Sequence, residues 1–131
     1  MRISARKHEA VYREIPACYR PGMRDVELQI EIEKRMRMHG SLGYFRAFGS
    51  NMDIFMGSLL AGENAGEPSP FDFALGGKGI HASGPLGANG TLLREGTTVM
   101  ADMSGNYTAY QTDMTRVFSI GKLPDRAYRV H

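Results

Sequence analysis

The chain has 131 residues, 42% of them hydrophobic, and its 16 basic and 14 acidic side chains leave a formal net charge of +2. That is one domain's worth of polypeptide, able to bury about two-thirds of its unfolded surface. No dense basic run interleaved with aromatics is present, so no nucleic acid is expected as a partner. The longest apolar stretch, Ile54 to Ala61, is far short of the about 20 residues that cross a bilayer, so no membrane is expected either. Met1-Arg-Ile-Ser-Ala-Arg-Lys-His8 runs directly into charge without the apolar segment of a signal peptide. The single Cys18 excludes an intrachain disulfide and suits a reducing compartment, so the expected location is cytoplasmic.

Helical spacing of His8, Val11, Tyr12, Ile15 and Tyr19 predicts a first helix over 3–19, with Arg6, Lys7, Arg13 and Glu14 filling much of the opposite face. Pro16 should kink it or end it early. Pro21-Gly22 is a turn, and a second helix is expected from Arg24 to His39. Asp25 and Glu27 stand in its first turn and Arg35, Arg37 and His39 in its last, the order that the helix dipole favours. Gly40 is a natural residue just past its end. Val26, Leu28, Ile30, Ile32 and Met36 form a broad apolar face, while Glu31 with Arg35 and Glu33 with Arg37 are spaced for i,i+4 pairs. Both helices read as scaffold, their charges as a solvated face, and His8 and His39 as structural.

Residues 40–96 change character. Short strands are expected around Tyr44–Phe48 and Phe55–Leu60, followed by a long irregular passage from Gly62 to Gly90. Loops of that length in a small domain are usually functional or disordered. Gly76-Gly-Lys78-Gly79-Ile-His81 is not a phosphate loop: the spaced first glycine, the hydroxyl residue after Lys78 and a following helical run are all missing. It reads as a flexible turn.

The most informative stretch runs from Asp102 to Arg116. Val99-Met-Ala precedes Asp102 and Val117-Phe-Ser-Ile120 follows Asp113, so each aspartate sits in an expected strand of one hairpin. A turn centred on Tyr107-Thr108 would make Asp113 the direct cross-strand partner of Asp102, with Cβ atoms roughly 5 Å apart. Two carboxylates that close repel. Either one keeps its proton, or divalent cations neutralise the pair. The spacing is equally satisfied if one aspartate caps a turn and the other binds a buried arginine such as Arg116.

The run Gly96-Thr-Thr-Val-Met-Ala-Asp102, followed by Tyr107-Thr-Ala-Tyr110-Gln-Thr-Asp113-Met-Thr-Arg116-Val-Phe118, resembles the signature of the creatinase and methionine-aminopeptidase superfamily, the pita-bread metallopeptidases. Within it, the similarity is greatest to Xaa-Pro dipeptidases (prolidases) and aminopeptidases P. Pro21-Gly22-Met23, the segment Gly57 to Ala65 and the ending Ile120-Gly121-Lys-Leu-Pro124 also fit that pattern. Ser104 and Ala109 depart from it, standing where glycines are common. The resemblance implies an α+β fold, with 1–131 as the N-terminal half of a pita-bread catalytic domain and two N-terminal helices packed on an antiparallel sheet. It also implies two divalent metal ions, manganese by analogy, with Asp102 holding one and Asp113 bridging both. Thr115 and Arg116 are the outer-shell candidates, because ligating carboxylates need donors that fix their orientation. His81, twenty-one residues before Asp102, stands where the family's groove histidine would donate to a proline-containing peptide substrate, although a lone loop histidine is as readily just exposed.

The family's further ligands are one histidine and two glutamates downstream. No glutamate follows Glu95, and the only histidine after Asp113 is His131. The expectation is a truncated half-domain of an Xaa-Pro peptidase that is inactive alone, binds metal weakly at most, and pairs as a homodimer through the apolar face its other half would cover. Alternatives are a creatinase-like hydrolase without metal and a non-catalytic pita-bread module that holds a peptide or protein.

Overall fold

Apolar residues at helical spacing and apolar residues at strand spacing meet in one core here. The computed structural model describes residues 1–48, 52–70 and 75–130, and His131 lies outside them. Helix α1 (Arg2–Cys18) buries Ser4, His8, Val11, Tyr12, Ile15 and Cys18, and helix α2 (Asp25–Met38) buries Asp25, Leu28, Ile32 and Met36. These faces pack on a three-stranded antiparallel sheet of order β3-β4-β5: β3 (Gly57–Ala61), β4 (Thr98–Asn106) and β5 (Gln111–Ser119). A separate antiparallel hairpin, β1 (Phe45–Phe48) with β2 (Met52–Ile54), precedes the sheet. The α+β class and the two-helices-on-a-sheet arrangement expected from the sequence are those observed.

Pro16 does not stop α1. The helix continues to Cys18, because so close to the end the ring removes a single backbone donor, and the Cys18 thiol bonds back to Glu14 O at 3.5 Å. The charges of α2 also differ from the expected solvated face. Asp25 is fully buried, accepting from the N–H of Val26 (2.8 Å), Asn89 (3.1 Å) and Gly90 (2.9 Å). Its own N–H donates to Thr91 O at 2.9 Å, so one carboxylate ties the start of α2 to the loop ahead of β4. Neither Glu31–Arg35 nor Glu33–Arg37 forms among the described ion pairs. Arg35 and His39 instead turn toward α1, where both meet Glu14 (3.1 and 2.9 Å).

The strand expected over Phe55–Leu60 is observed as β3, beginning at Gly57, whose φ is +147° and where a Cβ would stand 2.1 Å from Asp102 O. Only glycine lets β3 approach β4 at that point. The passage from Gly62 to Gly90 begins with a 3₁₀ turn (Gly62–Gly66) and is held by the buried Asn64, whose Nδ2 donates to Gly87 O (2.9 Å) while its Oδ1 accepts from Lys78 N (2.9 Å). A short helix α3 (Asp125–Val130), not anticipated from the sequence, follows Pro124.

His8 is structural, as expected, and fully buried. Its Nδ1 bonds Thr112 Oγ1 at 2.8 Å, and its ring meets those of Tyr12 edge-on and Tyr107 at a tilt. Burial, opposed by the nearby Asp113, lowers its pKa from 6.5 to about 4. A depressed histidine contributes stability that is complete above its unfolded value and lost as pH falls toward the folded one. Chemical denaturation as a function of pH should therefore show stability falling by about 1 kcal/mol per unit between pH 6.5 and 4.5, a slope that His8→Gln flattens.

The β4–β5 connection contains Ala109 at φ +61°, the one non-glycine residue with positive φ among those described. A Cβ in that conformation costs about 1 kcal/mol. Ala109→Gly should raise unfolding stability in urea by about 0.5–1 kcal/mol with an unchanged denaturant slope, the relieved strain exceeding the added entropy of the unfolded chain.

Candidate functional site

Alternation along two neighbouring strands creates the site. On β4, Val99, Ala101 and Met103 are buried toward the helices, which turns Met100, Asp102 and Ser104 to the other face. On β5, Met114 and Phe118 pack on the core, which turns Asp113, Thr115 and Val117 to that same other face. In register, Asp102 lies between Ser58 of β3 and Thr115 of β5, and Asp113 lies opposite Ser104. The direct Asp102–Asp113 pairing expected from the sequence is not formed. The closing pair is Asn106↔Gln111, so Tyr107–Tyr110 form a longer connection than the tight turn expected, and the register moves by two residues. A shift of two preserves the face. The carboxylates are therefore diagonal neighbours, about 7 Å apart at Cα instead of about 5 Å.

Each carboxylate is held by the hydroxyl directly across from it. Thr115 Oγ1 donates to Asp102 Oδ1, and Ser104 Oγ donates to Asp113 Oδ1 at 3.2 Å. Among the described residues the second oxygen of each aspartate has no protein donor. Asp102 is half-buried, and burial raises its pKa; the Thr115 hydrogen bond opposes that rise and the charge of Asp113 adds to it. Asp102 thus senses the charge of Asp113 across the diagonal.

Arg116, the other outer-shell candidate, stands opposite Ala101, on the helix side of the sheet, and its guanidinium donates to Thr115 O at 2.7 Å. One residue of alternation separates it from the aspartate face, and it bonds neither carboxylate.

His81 lies in the loop between Asn64 and β4 and is exposed, its Nδ1 bonded to Ser83 Oγ at 2.7 Å. It lines a groove of about 670 Å³ between α2 and that loop, whose wall includes Ile30, Phe55, Ile80 and Ser58. Ser58 is the direct neighbour of Asp102, so the groove abuts the aspartate row. His81 itself bonds neither aspartate.

Sequence reasoning singled out Thr115, and noted Ser104 only as a departure from the family pattern without its bond to Asp113; it missed Ser58, which completes the row beside Asp102, and the loop-holding role of Asn64. Asn64 alone left a usable signal, since an amide between glycine-rich segments can satisfy a backbone donor and a backbone acceptor at once.

Two carboxylates with one unbonded oxygen each are hard donors suited to a cation such as Mn²⁺ or Mg²⁺. The donor set fits part of such a site. Among the described residues no group of three or more His, Cys, Asp or Glu side chains converges to hold an ion.

Residues 1–131 match the family described as metallopeptidase family M24, and the chain belongs to that family. Solved structures with the same fold include an X-Pro aminopeptidase from Thermotoga maritima (23% identity, TM-score 0.68), covering 97% of this chain and 29% of that one. An Xaa-Pro dipeptidase from Bacillus anthracis matches at 20% identity with a TM-score of 0.68 over 97% of this chain and 29% of that one. The dipeptidase PepE from Mycobacterium ulcerans matches at 18% and 0.70 over 97% and 28%. The chain thus spans less than a third of the length of these structures. No curated protein sequence matches it significantly.

The close approach at Gly57 yields a direct check on the row. Gly57→Ala should push β3 away from the Asp102 carbonyl and cost about 2–3 kcal/mol, seen as a lowered thermal midpoint.

Proposed function

We propose that this chain carries the first two metal ligands of a dinuclear metallopeptidase that hydrolyses the peptide bond before proline. One observation carries the reading: Asp102 and Asp113 project from one sheet face as diagonal neighbours, each with one oxygen held by a hydroxyl and the other without a donor among the described residues. Membership in a metallopeptidase family supports it. The similar X-Pro aminopeptidase and Xaa-Pro dipeptidase support the proline preference.

In this reading Asp102 would hold one divalent ion and Asp113 would bridge two, with manganese the favoured metal. Bound there, such ions supply Lewis acidity and a lowered pKa for water. Thr115 fixes the rotation of the Asp102 carboxylate, and the groove beside Ser58 receives the peptide with His81 on its wall as a donor. The neighbouring apolar side chains Ile30, Phe55 and Ile80 suit an uncharged ring such as that of proline. The remaining ligands come from polypeptide beyond these residues, so the 131 residues alone are inactive.

The test is cleavage of an Xaa-Pro dipeptide by a polypeptide that joins this chain to the remaining ligands. Manganese-dependent hydrolysis is expected, lost in Asp102→Asn and in Asp113→Asn, with none from the 131 residues alone. Full activity after chelation, or in both asparagine variants, would refute the proposal.

A further inference from the structure

Ser104 supplies the one side-chain hydrogen bond to Asp113 among the described residues. In this chain the residue is half-buried on β4, directly opposite Asp113, and its Oγ donates to Asp113 Oδ1 at 3.2 Å. Its backbone is fixed as well, since the Ser104 N–H donates to Met56 O at 2.6 Å. The arrangement mirrors the neighbouring pair, in which Thr115 of β5 donates to Asp102 of β4. Each strand thus contributes one carboxylate and one hydroxyl, and each hydroxyl serves the carboxylate of the other strand.

From this reciprocal pairing we infer that Ser104 is a positioning residue for Asp113, holding its carboxylate by Oδ1 so that Oδ2 is presented to a divalent cation. The inference rests on the reading of Asp102 and Asp113 as metal ligands and assigns a role within that site. A ligating carboxylate must stop rotating before it binds. A hydroxyl that has already fixed its plane removes that ordering cost from the binding step. Removal of such a supporting donor typically weakens metal affinity 10–100-fold.

Ser104→Thr and Ser104→Val test the inference together. Both side chains are β-branched and suited to a strand, and they differ in whether a hydroxyl faces Asp113. Mn²⁺ is titrated into the 131-residue chain, and paramagnetic broadening of backbone amide signals around Asp102 and Asp113 reports occupancy, with thermal midpoints recorded alongside. The wild type and Ser104→Thr should bind within about twofold of each other. Ser104→Val should bind roughly tenfold more weakly at an unchanged midpoint. Equal affinity of Ser104→Val and wild type, with binding abolished in Asp113→Asn, would overturn the role of Ser104 and leave the metal-ligand reading standing. Local broadening equal in the wild type and in Asp113→Asn would overturn both.

Discussion

Tyr12 reaches from the buried face of α1 to the backbone of both long strands. Its hydroxyl accepts from Met103 N at 3.1 Å and bonds the carbonyls of Ala101 (3.1 Å) and Met114. Met103 and Met114 are direct cross-strand partners, so the phenol spans the ladder at the step between the pairs that carry the two aspartates. A side-chain oxygen buried among these groups satisfies them in one register only, since a slipped strand would orphan buried donors and acceptors. Burial, opposed by the Met103 hydrogen bond and assisted by the charges of both aspartates, pushes the Tyr12 hydroxyl well above its ordinary pKa, so it stays a neutral donor and acceptor. The aspartates on one side of the sheet depend on this contact on the other.

Placing two carboxylates on one sheet face is electrostatically unfavourable, and three features moderate it. Diagonal placement is wider than direct pairing. Each carboxylate has a hydroxyl donor, and Asp113 remains exposed to water. Asp102 is the more buried of the two, and burial raises its pKa.

The segment beside the site keeps its shape with little regular structure. Asp25 and Asn64, both buried, spend their side-chain oxygens and nitrogens on backbone groups of residues 78–90. Backbone groups that belong to no helix or sheet must find such partners once they leave water. In this way a glycine-rich passage, open to a flexible interpretation on composition alone, becomes a wall of the groove that abuts Asp102.

Local pattern was sufficient for the helices, for the strands around Asp102 and Asp113, and for the shared face of the two aspartates. Those outcomes follow from short-range spacing, and the face survives any even change of register. The resemblance of Gly96–Phe118 to the pita-bread pattern likewise rests on consecutive residues, and the fold agrees with it. Distant contacts decided the rest. The four-residue connection at Tyr107–Tyr110 replaced Asp113 with Thr115 as the partner of Asp102, since a turn's length is set by what it packs against. Arg116 fell on the helix side because a single step along a strand reverses the face. Asp25 went from an expected surface charge to a buried tie because residues 89–90, far along the chain, supply its donors. Spacing along the chain determines which way a side chain points; which group it meets there is set by segments that only folding brings near.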